Sequence, residues 1–306
     1  MNVREWALPV YTILMQLSEG TILMLWIVRA ANMSRLGQVA INRIVKIPIV
    51  IIFLTTLVAM TGAHFHLSRP FHSFLAVLNF HSSWLSREIV FTLLFSVTLG
   101  CLLWLHWFAS GNVWVISVFG WLAILLGIVM IYCMSQIYLL PTQTAWNSPV
   151  TILSFYVTMF ILGSIALPAI LLIDLSFSTV LELEQLEQRT LIVRQVLIRS
   201  TYASAIAWIT MVVLNIYQIS ILRMGDQWAQ TSFELLTSLY LPLLAMRLML
   251  PLAGIVWQAI SVFRVIRGNR DVKELMIPVY SACISVLVGE ILGRFLFYAT
   301  HIRIGI

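Results

Sequence analysis

Residues 64–89 read HFHLSRPFHSFLAVLNFHSSWLSREI and hold four of the chain's six histidines: His64, His66, His72 and His81. Arg69, Arg87 and Glu88 stand among them, in a chain with only 10% charged residues. Histidine titrates near neutral pH and accepts one proton. A glutamate at the edge of an apolar cleft can accept and release another. His66 closes one apolar run and Glu88 opens the next, so the pair marks one rim. An apolar cleft with such a rim suits a quinol, whose tail needs apolar walls and whose hydroxyls need proton acceptors. The remaining histidines read as side chains of a bilayer edge.

A second constellation is Gly289-Glu290-Ile291-Leu292-Gly293-Arg294. Glu290 and Arg294 are four residues apart, so they share one helix face. Both lie in apolar sequence, where unpaired charges are costly. They read either as a salt bridge that knits the helices or as a support beside a ligand pocket, which His301 would complete. Arg247 and Glu19 fall in similar surroundings and are candidate partners for them. A third feature is the charge-free connection from Tyr138 to Pro149. Pro141 and Pro149 stiffen it, and Trp146 reads as a large exposed anchor. Tyr138, Trp146 and Asn147 are therefore expected to dock a peripheral partner. The three cysteines (Cys101, Cys133, Cys283) are far apart and lack metal-ligand spacing; they read as packing residues, and no metal site is expected.

These groups must be placed by membrane helices. Hydrophobic residues make up 61% of the sequence and the mean hydropathy is +0.98, beyond what a soluble domain carries. The 306 residues leave room for about eight spans of ~20 residues. Apolar segments run roughly over 6–28, 44–65, 89–108, 113–137, 150–173, 197–221, 235–262 and 276–300. The fold expected is all-α: one transmembrane domain over 1–306, with eight helices in an up-down bundle. The first apolar segment reads as a retained span, not a cleaved signal. The net charge of +6 belongs to loops that set orientation, not to nucleic acid. Eleven of the eighteen basic residues fall in the first, fifth-to-sixth and seventh-to-eighth connections, against five on the other side. That imbalance places both termini outside, in the periplasm of a Gram-negative cell. The stretch LELEQLEQRTLIVRQ reads as an amphipathic helix lying on the inner surface. Phe71, Phe74, Leu75 and Leu78 suggest a short helix in the outer interface. Seven tryptophans near span ends, Trp146 among them, read as an aromatic belt.

Five motifs in this order resemble the membrane anchor subunit, the third of three subunits, of the anaerobic dimethyl sulfoxide reductase family. They are Glu5-Trp6-Ala7-Leu8 with Gln16 and Gly20; His66-Leu67-Ser68-Arg69-Pro70; Leu85-Ser86-Arg87-Glu88-Ile89; Ala145-Trp146-Asn147-Ser148-Pro149; and the Gly289–Arg294 run followed by Phe297, Tyr298 and His301. Ser68 departs from the glycine usual at its position. The resemblance implies a subunit of the bacterial inner membrane that oxidises menaquinol in anaerobic respiration. It implies two partners on the outer face: a four-cluster iron–sulfur subunit that takes the electrons, and a molybdopterin catalytic subunit. It implies that His66 and Glu88 serve the menaquinol site, with Arg69 and Arg87 orienting the headgroup or the partner.

Two other classes are open to a helical protein of this kind. A haem b cytochrome anchor needs axial histidines on facing helices. His106 sits at the inner end of the third span and cannot share a haem with His66 or His301 at outer ends; those two could in principle, but both lie at span ends, so no haem is expected. A secondary transporter would carry internal repeats; Pro168, Pro242 and Pro251 offer kinks, but no repeat is visible.

Overall fold

The computed structural model describes residues 3–66, 75, 77–108, 112–177, 183–268 and 271–302, the side chains of 3–7, 34–36, 38–40, 43, 64–66, 177 and 183–185 excepted. Among the described residues the protein is helical, without a strand: α1 (Val3–His66), α2 (Trp84–Phe108), α3 (Val113–Gln136), α4 (Pro149–Phe177), α5 (Leu183–Met224), α6 (Gln227–Thr237), α7 (Leu241–Arg267) and α8 (Met276–Ala299), with a 3-10 turn at Val272–Leu275 before α8. Among the described residues eight stretches are long and apolar enough to cross a membrane, two of them within α1 at Leu8–Met33 and Ile44–Ala63. The break between those arms falls at Gly37, whose φ of 73° and ψ of 170° lie in a region that side chains with a Cβ rarely enter.

The remaining helix boundaries follow local chemistry. Asn112 caps α3 by accepting from the backbone N–H groups of Trp114 and Val115, and Asp226 caps α6 by accepting from that of Ala229. Such side chains satisfy N–H groups that a helix start leaves free. Pro242 sits in the first turn of α7, where its missing N–H costs nothing. That start separates α7 from α6, so the seventh span begins at Leu241 and not at 235 as the apolar pattern suggests. One further expectation is corrected. From Leu183 on, the acidic and basic stretch expected as an inner-surface helix is the first part of α5. No glycine or proline interrupts it, and its stripe of Ile192, Val193, Val196 and Leu197 is buried. Asp174 of α4 and Arg189 of α5 pair at 3.3 Å beside it. The outer interfacial helix falls largely outside the described residues; residues 77–79 form a 3-10 turn.

α4 is central: 78% of its most apolar stretch is buried, against 11% for α5. It packs on α1, α5 and α8, while α2 packs on α3 and α7 on α8. α1 and α4 meet at Gly20 and Gly163. A Cβ on Gly163 would run into the Gly20 backbone, and one on Gly20 into the Met159 carbonyl. This close approach brings the first arm of α1 against α4 and α8, where the polar side chains gather.

Candidate functional site

The first turn of α2 separates two neighbours of opposite charge. Arg87 turns back over the preceding loop: Nε donates to the Phe80 carbonyl at 3.0 Å, Nη2 to the His81 carbonyl at 2.7 Å, and the guanidinium lies 4.2 Å from the Trp84 ring centre. Arg87 therefore holds the loop. Glu88, one position on, points inward and is 4% exposed. Tyr11 of α1 brings its phenol within hydrogen-bonding reach of that carboxyl. The same hydroxyl shares a 3.0 Å hydrogen bond with Thr92 Oγ1, one helical turn beyond Glu88. Glu88 Oε1 is buried with no hydrogen-bond partner among the described residues. His66 is the last residue of α1, but its side chain and the whole of Arg69 lie outside the described residues.

The second constellation forms around α8. Thr158 of α4 donates to Glu290 Oε2 at 2.7 Å. Arg294 donates through Nη2 to Gln16 Oε1 at 2.8 Å, and Gln16 donates through Nε2 to the Phe155 carbonyl at 2.8 Å. The Arg294 guanidinium lies 3.9 Å from the Phe155 ring centre, a cation–π contact of use in a dry interior. Glu290 and Arg294 do share a face, yet each bonds to another helix. Arg247 of α7 stands close enough to act electrostatically on both. Glu19 does not join them. It faces Gly127 of α3, where a Cβ would collide with its carboxylate, and neither of its oxygens has a hydrogen-bond partner among the described residues. A cleft with room of ≈ 90 Å³ runs between α4, α5, α7 and α8 down to Arg247, Glu290 and Arg294.

Between these two groups lies an aromatic cluster, and it overturns one expectation. Trp146 is not an exposed anchor: it is 7% exposed and Tyr138 is 6% exposed. Trp146 Nε1 donates to the Phe297 carbonyl at 2.7 Å. Its ring stacks on Phe297 at 5.0 Å and on His301 at 4.4 Å between centroids. Tyr138 and Tyr298 bond hydroxyl to hydroxyl, and His301 Nδ1 bonds the Tyr298 carbonyl. The indole is buried because the loop folds inward over the end of α8. Asn147 alone of the three docking candidates is exposed. Burial pushes the Tyr138 phenol well up, so it stays a neutral donor and acceptor. The tyrosine pair feels both Glu88 and Arg294, which joins the two groups into one polar band across this end of the helices.

Sequence reasoning missed Tyr11, Thr92, Phe155 and Thr158. The available signal was a polar or hydroxyl side chain inside an apolar run, but hydroxyls so often bond back to their own helix that the signal is weak. His106, the candidate from the haem reading, is buried in the last turn of α2 beside Arg29 and Lys46.

Eight apolar helices enclosing a band of buried acids, arginines and tyrosines at one end define a polytopic helical membrane protein with an internal polar site. The profile of the DMSO reductase anchor subunit family (DmsC) matches residues 1–300, and the protein belongs to that family. It is similar to the anaerobic dimethyl sulfoxide reductase subunit YnfH of Escherichia coli, 25% identical over 98% of this sequence and 96% of that one. It is also similar to the C subunit of the anaerobic dimethyl sulfoxide reductase of Haemophilus influenzae, 28% identical over 56% of this sequence; that match spans 61% of the relative's own length. The protein is thus a multi-pass anchor of the bacterial inner membrane and part of an oxidoreductase complex.

Proposed function

We propose that this protein binds menaquinol at the Glu88 end of the polar band and oxidises it for a dimethyl sulfoxide reductase-type complex. One observation carries the reading: a carboxyl that is 4% exposed, with one oxygen unpartnered and a phenol beside it. A quinol hydroxyl is the kind of donor that oxygen lacks. The oxidation releases two electrons and two protons. Glu88 takes the proton of the hydroxyl it binds, and His66, which closes the neighbouring α1, takes the second. Both protons then leave towards the outer face. The electrons pass to a four-cluster iron–sulfur partner and from it to a molybdopterin catalytic subunit. The terminal acceptor is set by that catalytic partner.

In the intact complex, Glu88→Gln keeps the volume and removes the proton acceptor. Menaquinol-dependent reduction is expected to fall at least about a hundredfold, the lower bound for loss of a general base. Reduction driven by an artificial donor to the partner subunits is expected to persist, since assembly is intact. Normal menaquinol turnover in both Glu88→Gln and His66→Ala refutes this reading.

A further inference from the structure

The cleft between α4, α5, α7 and α8 carries charge that its own walls do not balance. Arg247 and Arg294 both line it, and guanidinium does not lose its proton in proteins. Glu290 is the one acidic side chain on its walls among the described residues, so two guanidiniums against one carboxylate leave +1. Glu88 lies across the Tyr138–Tyr298 pair and does not line the cleft. Arg294 is held by Gln16 and Phe155. Arg247 has no such partner: its Nε is shut away from water without a hydrogen bond among the described residues. Glu290 Oε1 is in the same condition, so carboxylate and guanidinium do not close on one another. Arg247 is half-buried, and a guanidinium whose Nε is shut away unbonded is costly to hold there unless something compensates it.

The guanidinium is nevertheless kept in place. A Cβ on Gly293 would come within 2.8 Å of Arg247 Cζ, and one on Gly289 would lie 3.2 Å from the Arg247 carbonyl oxygen. Two glycines four apart form the α8 face that meets α7. They leave the room that Arg247 occupies. The cleft is also lined by Thr151 and Ser154 of α4 and by Asn215 and Gln218 of α5, set among apolar side chains.

We propose that this cleft binds an anion against Arg247, as the counter-charge the protein lacks there. The ligand is a small free anion of halide size or the phosphodiester of a lipid head reaching in from the adjoining leaflet. The site stands apart from the menaquinol reading and does not depend on it.

The test uses the purified intact complex, as wild type, Arg247→Gln and Arg247→Lys. Melting is followed in sodium gluconate with sodium bromide added stepwise, and phosphorus retained after detergent exchange is measured. A free anion gives a saturable rise in Tm in wild type that Arg247→Gln abolishes and Arg247→Lys keeps in part. A lipid phosphate gives retained phosphorus that Arg247→Gln loses, with no bromide response. Should Arg247→Gln fail to assemble, bromide-soaked crystals of wild type decide: an anomalous peak beside Arg247 supports the free anion. The absence of that peak, of a bromide response and of Arg247-dependent phosphorus overturns the proposal.

Discussion

At the scale of single residues, Tyr11 decides how Glu88 presents itself. Its hydroxyl bonds Thr92 Oγ1 at 3.0 Å and stands within reach of the Glu88 carboxyl. Tyr11→Phe keeps the ring and removes that hydroxyl. A hydrogen bond to a charged group is worth about 1.5–3 kcal/mol, which corresponds to a roughly ten- to hundredfold loss in menaquinol-dependent kcat/KM, with little change in Tm because the ring still packs. Steady-state kinetics of the complex with a soluble menaquinol analogue checks this, and unchanged kcat/KM removes Tyr11 from the site. Trp146 tests the opposite property. Its indole is packed between Phe297 and His301, so Trp146→Ala is expected to cost about 3–5 kcal/mol of stability, seen as a lower Tm of the complex. An exposed anchor would leave Tm unchanged and weaken only partner binding. The sequence marks Glu88, Glu290 and Arg294 because charge is rare in apolar runs. It does not mark their partners. Thr158 and Gln16 are ordinary polar residues until α4 and α1 bring them to Glu290 and Arg294, and Trp146 reads like the belt tryptophans Trp104 and Trp114, which are exposed.

At the scale of helices, the site depends on how closely α1 and α4 cross. Gly163 and Gly20 meet backbone to backbone, and four residues from each stand Met159 and Gln16. Gly163→Ala gains about 1 kcal/mol in helix propensity. Against that gain, the added methyl meets backbone, which cannot turn aside as a side chain does. Overpacking of this kind costs about 1–3 kcal/mol or more, so the net expectation is destabilisation. It should also lengthen the Gln16–Phe155 contact and loosen Arg294. Lower Tm with a parallel loss of co-purifying partner subunits is the outcome to look for, and a rise in Tm rejects the crossing. Helix existence was readable because the spans are long and apolar. Helix ends were readable only where capping chemistry was recognised: Pro242 moves the seventh span to Leu241, and the uninterrupted stripe from Ile192 to Leu197 carries α5 back to Leu183. An apolar pattern alone contains neither boundary.

At the scale of the whole molecule, α5 offers a measure of what leaves the bilayer. Its 42 residues at about 1.5 Å each give roughly 63 Å, about twice the ~30 Å hydrocarbon thickness. The end that projects carries Arg189, Arg194 and Arg199, with Glu187. Basic residues near span ends stay on the cytoplasmic side, so this extension, the Gly37 break and the turn at Val272–Leu275 should share that side. The polar band, the 138–149 loop and both ends of the protein would then face outward, where Glu88 can release protons. Single cysteines test the arrangement. Thr142 and Lys273 are both exposed, whereas Cys133 is buried and Cys101 and Cys283 are only partly open within spans. In intact cells a membrane-impermeant maleimide is expected to label Thr142→Cys and to spare Lys273→Cys until the membrane is permeabilised. The reverse pattern inverts the molecule. It would place the Glu88 end on the cytoplasmic side, and the outward proton release assigned to it would have to be given up along with the orientation.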